Sequence, residues 1–157
     1  MARILAASSG GGHLEQLILI APAFAGHDWQ IATTNPAQAR MHGISDPLPL
    51  PDCNLHQPVN SLRCALAALS LVRKLRPDVV ISTGAAPGFF CILWGRLFGA
   101  RTLWVDSVAN AERLSLSGRL ARHVADHCLT QWEHLADGNK LYYSVSPVSA
   151  NGTDLRL

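Results

Sequence analysis

The chain has 157 residues, 48% of them hydrophobic and 15% charged, with a net charge of +2. That length fits one domain of ordinary size, the apolar bias excludes disorder, and the charge is too small to make nucleic acid the main partner. Cys53, Cys64, Cys91 and Cys128 lack Cys-x-x-Cys spacing and read as reduced core thiols, while the absence of a secretory signal and of a ~20-residue apolar span predicts a cytoplasmic protein.

Ile4-Leu5-Ala6-Ala7 reads as a strand, followed by Ser8-Ser9-Gly10-Gly11-Gly12-His13 and then by Leu14, Leu17, Ile18, Ala21 and Phe24 at helical spacing, with Glu15 and Gln16 outside the apolar stripe. Trp29 to Thr33 is a second strand, and Thr34-Asn35-Pro36 opens a turn or capped helix. From Gly43 to Asn60 the prolines predict a long loop, with a short strand near Leu48 to Leu50. Asn60 or Ser61 caps a helix with Leu62, Ala65, Leu66, Leu69 and Val72 as its apolar face, ended by Pro77. Asp78 to Ser82 is a strand of the kind buried on both faces, Thr83-Gly84 turns the chain, and Phe89 to Phe98 is an almost wholly apolar helix stopped by Gly99. Arg101 to Val105 is a strand closed by Asp106-Ser107. A helix from Leu116 or Ser117 to Ala125 and strands at Cys128 to Thr130 and Leu141 to Tyr143 complete the order.

Strands alternating with helices predict an α/β fold, a Rossmann-like doubly wound parallel sheet occupying residues 1–143, with a polar tail from 144 to 157. Ligands of such sheets bind beyond the carboxyl ends of the strands, where Ser9 to His13, Ser82 to Gly88 and Asp106 to Gly118 should share one crevice. Bare glycine N–H groups at a helix start suit a phosphate or another anion, although a plain strand-to-helix turn uses the same residues. Glu15 stands where a dinucleotide fingerprint needs its third glycine, and Thr33-Thr34-Asn35 offers no acidic ribose ligand. A Gly-Lys-Ser/Thr phosphate loop, metal-ligand spacing and a nucleophile elbow are all missing, so neither a metal nor a bound cofactor is expected.

Together, Ser8 to His13, Ser82-Thr83-Gly84-Ala85-Ala86-Pro87-Gly88 and the stretch from Asp106 to Leu120, with Ala125-Asp126 and Gln131-Trp132 downstream, carry a resemblance. From about Arg3 to Leu135 the chain resembles the acceptor-side, membrane-anchoring subunit of the two-protein N-acetylglucosaminyltransferase that adds the second sugar to dolichol-linked oligosaccharide, and bacterial relatives in capsule and exopolysaccharide synthesis. The resemblance implies the N-terminal lobe of a GT-B glycosyltransferase, holding a polyprenyl-pyrophosphate sugar acceptor, with a separate donor-binding subunit as partner and a nucleotide sugar, a UDP-sugar, as co-substrate. Carried over by position, Ser9, Gly10, Gly11 and Gly12 would face the acceptor pyrophosphate, and His13 would contact that phosphate or take the proton from the acceptor hydroxyl. Thr83 and Gly84 would line the same crevice, as would Asp106, Ser107 and Arg113. Structural roles stay open for each: a helix-start residue for His13, a βα turn for Thr83 and Gly84, a loop cap for Asp106, an ion pair for Arg113.

Phe89-Phe90-Cys91-Ile92-Leu93-Trp94 is apolar on all sides and reads either as a core helix or as a helix with one edge on a membrane. In the second case Leu97 and Phe98, with Arg73, Lys74, Arg76, Arg96 and Arg101, would meet the anionic inner face of the membrane. The tail would meet the donor subunit. A scaffold that activates a catalytic partner and a stand-alone nucleotide binder are the competing readings.

Overall fold

The computed structural model of the chain describes residues 1–53 and 57–144. Among them, β1 (Arg3–Ser8), β2 (Asp28–Thr33), β3 (Leu48–Pro49), β4 (Val79–Gly84), β5 (Arg101–Val105), β6 (His127–Thr130) and β7 (Leu141–Tyr143) form one sheet in the order β3-β2-β1-β4-β5-β6-β7, every pair parallel. The helices α1 (Gly12–Ile20), α2 (Pro36–Met41), α3 (Pro58–Leu75), α4 (Ala85–Leu97) and α5 (Leu116–Val124) supply the crossovers. The sheet is the expected Rossmann-like one, and its strand order reverses at β1, between β2 and β4.

Alternation along the strands divides the core between the two faces. Leu5, Ala7, Val80, Trp104 and Cys128 pack with Ala68 and Val72 of α3, Ile92 of α4 and Ala121 of α5. Ile4, Ala6, Ile31 and Ile81 pack on the opposite face with Leu14 and Leu17 of α1 and with Phe24. Leu5, Leu14, Leu17 and Ile31 are fully buried, and each such side chain stabilises the fold by about 1.5–3 kcal/mol. All four cysteines are free and buried, as their apolar surroundings predict.

The elements differ from the sequence reading in instructive ways. α1 starts at Gly12, inside the glycine run, and Gln16 is buried rather than on an outer face. α3 starts at Pro58 after the N-cap Gln57, because proline at the first helical position needs no N–H partner and brings a helical φ. Its buried stripe is Cys64, Ala68 and Val72, whereas Leu62 and Leu66 of the expected apolar face point outward. Small residues face α4 closely enough for Trp94 Nε1 to donate to the Ala65 carbonyl at 2.8 Å. α4 is a core helix, with Ala86, Pro87, Gly88, Phe89, Cys91, Ile92 and Gly95 all buried. No helix of the described residues is long and apolar enough to cross a membrane. The tail from residue 145 onward lies outside the described residues.

Candidate active site

The strand order places the carboxyl ends of β1 and β4 side by side, with Ser8 beside Gly84. Gly10 and Gly11 follow Ser8 and are held by the β2–α2 connection. Asn35 caps α2 by accepting from Gln38 N at 3.1 Å, which turns the Gln38 side chain toward the glycine run. Gly10 N donates to Thr34 Oγ1 at 2.9 Å and Gly11 N to Gln38 Oε1 at 2.7 Å. A β-carbon on Gly10 would lie 2.7 Å from Asn35 Cβ, so the close approach of these loops requires glycine. Ser9 Oγ donates to the Gly10 carbonyl at 3.3 Å.

These contacts correct the expectation that all three glycine amides face a ligand. Two are already satisfied by side chains, and the open donors are the N–H groups of Gly12, His13 and Leu14. They precede the first backbone bond of α1, Glu15 N to Gly11 O at 3.1 Å, and find no acceptor among the described residues. With the positive end of the helix dipole behind them, they form a patch that favours an anion.

His13 bridges from α1 to β4. Its Nδ1 lies 3.1 Å from the Thr83 carbonyl oxygen, while Thr83 Oγ1 donates to the His13 carbonyl at 2.6 Å. A carbonyl only accepts, so Nδ1 carries the hydrogen and, in the neutral ring, Nε2 presents its lone pair. The imidazole lies over Gly84, where an added β-carbon would be 2.2 Å from Nδ1. Gly84 has φ 148 and the following Ala85 has φ 63, so the chain passes from strand to helix through two residues in backbone regions that L side chains seldom adopt. Strain of roughly 1–3 kcal/mol per such non-glycine residue collects at functional sites.

The segment after β5 joins the same edge through α1, Gln16 Nε2 reaching Ser107 Oγ at 3.5 Å. Asp106 is 1% exposed, and its carboxylate accepts from Trp104 Nε1 (3.1 Å), Asn110 Nδ2 (3.0 Å), Ser115 N (3.3 Å) and Ser115 Oγ (2.9 Å). Four donors leave no lone pair for a substrate, which corrects the expectation that Asp106 lines the crevice. It anchors the loop instead, and Ser115 passes the order on by capping α5 through Gly118 N. Ser107 is likewise buried, accepting from Ala109 N at 3.3 Å. Trp132 Nε1 donates to the Val108 carbonyl and His134 Nε2 meets that of Ala111, tying the loop from behind. Arg113 is exposed in an open depression with Ala109 to Glu112, and no contact with the His13 cluster brings it into the site.

Thr34, Gln38 and Gln16 hold this edge together without any role expected of them from the sequence, and Gln131, which enters there only through the resemblance, donates from Nε2 to the Asp106 carbonyl at 3.0 Å. Only the Asn35-Pro36 helix start signalled any of the first three, by fixing where Gln38 falls. Ser8 Oγ, Gln16 Oε1 and Gln131 Oε1, all buried, have no hydrogen-bond partner among the described residues. Leaving such a group unpaired costs about 1–3 kcal/mol, and all three belong to this edge of the sheet. No cluster of metal-ligating side chains occurs among the described residues.

The family model described as "Oligosaccharide biosynthesis protein Alg14 like" matches residues 50–146, well over half of the chain. The chain belongs to the Alg14 family. A UDP-N-acetylglucosamine transferase subunit ALG14 from Eremothecium gossypii is 36% identical over 89 residues, 49% of this chain and 40% of that protein. The mouse protein of the same name is 32% identical over 73 residues, covering 43% and 34%. This Alg14-family chain thus matches less than half the length of these curated relatives. Among solved structures, Acinetobacter baumannii MurG superposes with TM-score 0.77 at 14% identity, over 93% of this chain and 46% of MurG. UDP-N-acetylglucosamine 2-epimerase from Rickettsia bellii gives 0.70 at 15%, over 94% and 46%. The fold is that of one lobe of these larger proteins, as the resemblance implied.

Proposed function

We propose that this chain is the acceptor-binding half of a nucleotide-sugar-dependent glycosyltransferase, active with a separate donor-binding subunit. The observation that carries the reading is the bond from His13 Nδ1 to the Thr83 carbonyl, which leaves Nε2 as a base beside three open helix amides. The names of the curated relatives and the one-lobe coverage of MurG support it.

In this reading the acceptor is a polyprenyl-pyrophosphate sugar at the inner membrane surface, in lipid-linked oligosaccharide or surface polysaccharide synthesis. Its pyrophosphate meets the Gly12, His13 and Leu14 amides. The acceptor hydroxyl oxygen forms a bond to the anomeric carbon of a UDP-sugar as the bond from that carbon to the phosphate oxygen breaks. The electron pair leaves with UDP, and His13 Nε2 takes the hydroxyl proton. Gly84 and Thr83 fix the ring, and Asp106 fixes the loop on the far side of the crevice.

The test is reconstitution with the donor-binding subunit and a panel of UDP-sugars, using a short-chain prenyl-pyrophosphate sugar as acceptor. Transfer that needs both chains, and fails with acceptors lacking the pyrophosphate, is the expected result. Transfer by the partner alone at the same rate would make this chain a scaffold.

A further inference from the structure

The outward face of α3 has no counterpart in the site and is unusual in composition. Val59, Leu62 and Leu66 are 70%, 61% and 55% exposed. At 3.6 residues per turn they fall in one row with the half-buried Leu69; exposed Arg63 and Ser70 lie alongside, and exposed Arg73 and Lys74 follow at the C-terminal end. The 18-residue helix contains no acidic residue. An apolar row whose charged neighbours on the helix are all cations is the composition of a helix that lies in a membrane interface and sinks its apolar side chains among acyl chains.

The fold also sets which end of the helix is near the crevice. The C-terminal end of α3 is at the amino edge of the sheet, where the Leu75 carbonyl accepts from Arg3, the first residue of β1. Its N-terminal half is therefore at the carboxyl edge, and Cys64 packs there against Ala86, two residues beyond the Gly84 that touches His13. Leu62, Arg63 and Leu66 thus border the edge where the acceptor pyrophosphate would bind.

We propose that this face of α3 is the membrane-docking surface, and that it lays the chain on an anionic bilayer with the His13 crevice at headgroup level. The proposal rests on the reading of a lipid-linked acceptor. It replaces the surface expected at Leu97 and Phe98, which stand at the opposite edge. There Phe98 lines a cleft of about 550 Å³ with Arg73, Arg76 and the Arg3–Asp78 pair, and Arg96 is engaged by Asp126 at 3.3 Å. A bilayer at that edge would keep lipid headgroups about 20 Å from His13, the height of a six-residue strand.

The experiment is flotation of the full chain with vesicles of phosphatidylethanolamine and phosphatidylglycerol in equal parts, and with vesicles of phosphatidylcholine alone. Salt-sensitive binding to the first, at least about tenfold tighter than to the second, is expected. Leu62→Gln with Leu66→Gln, which keeps good helix formers in α3, should weaken it about tenfold or more with an unchanged melting temperature, and Arg63→Glu should act in the same direction. Leu97→Gln with Phe98→Gln should leave it unchanged. No binding to anionic vesicles, equal binding by the Leu62/Leu66 variant, or loss confined to the Leu97/Phe98 variant would overturn the assignment. So would a Leu62/Leu66 variant that keeps vesicle binding and loses the donor subunit, since the face would then be a subunit contact. Transfer to the short-chain soluble acceptor separates the two claims. If the Leu62/Leu66 variant keeps it and fails only with acceptor in vesicles, both stand. If no acceptor supports transfer while α3 still directs vesicle binding, only the function reading falls.

Discussion

His13 and Thr83 hold each other by two hydrogen bonds, Nδ1 to the Thr83 carbonyl at 3.1 Å and the Thr83 hydroxyl to the His13 carbonyl at 2.6 Å. The pair locks the first turn of α1 to the end of β4 and sets the imidazole tautomer. Gly84 provides the space for the ring. Gly84→Ala would drive a methyl into Nδ1 and place alanine at φ 148. Thermal unfolding should report a loss of about 1–3 kcal/mol, with transfer falling more than stability does because the imidazole is displaced.

Gln38 presents the glycine run through its bond to Gly11 N, and Nε2 returns to the Gly11 carbonyl at 3.4 Å. Gln38→Ala removes both contacts from a half-buried position, so stability should drop by about 1 kcal/mol. The loss should show in KM for the acceptor, measured at saturating UDP-sugar, with kcat little changed. An equal fall in kcat at unchanged KM would assign Gln38 to the chemical step.

Asp106 gathers Trp104, Asn110 and Ser115 around one buried carboxylate. Asp106→Ala leaves those donors unpaired and should destabilise the fold by about 2–4 kcal/mol in denaturant titration. Unchanged stability with loss of acceptor binding would return Asp106 to the role of a direct ligand.

The sheet was legible because parallel strands buried on both faces announce themselves as short apolar runs, and β5 matches the expected Arg101 to Val105 residue for residue. The buried face of α3 differs from the expected one because periodicity gives a stripe without saying which side meets the core. Cys64 and Ala68 are small and lie against α4, whereas Leu62 and Leu66 face out. The glycine run and the strand end point to His13, Thr83 and Gly84, and the structure brings these three together. Nothing of the kind points to Gln38 and Gln16, since a glutamine carries no spacing signal and its contact with a loop 27 or 91 residues away is a tertiary fact.

Cys91, fully buried, has its thiol pushed up to about 12 from the ordinary 9.0 by desolvation. A raised folded-state value means that the neutral thiol stabilises the fold fully below pH 9 and that this contribution is lost as pH climbs toward 12. Above pH 9 wild type should lose about 1.4 kcal/mol per pH unit more than Cys91→Ala, read from urea midpoints at pH 8 and pH 10. Parallel pH curves for the two proteins would show that Cys91 ionises as freely when folded as when unfolded.

The role of His13 as the base is tested most directly by the turnover of His13→Asn in the reconstituted pair. The asparagine side-chain N–H₂ stands near Nδ1 and can still donate to the Thr83 carbonyl, but it has no lone pair in place of Nε2. With His13 as the base, the variant should keep the wild-type melting temperature and its association with the donor subunit while kcat falls about 10²–10⁴-fold, the usual scale of a lost general base. Turnover within a few-fold of wild type would contradict that role.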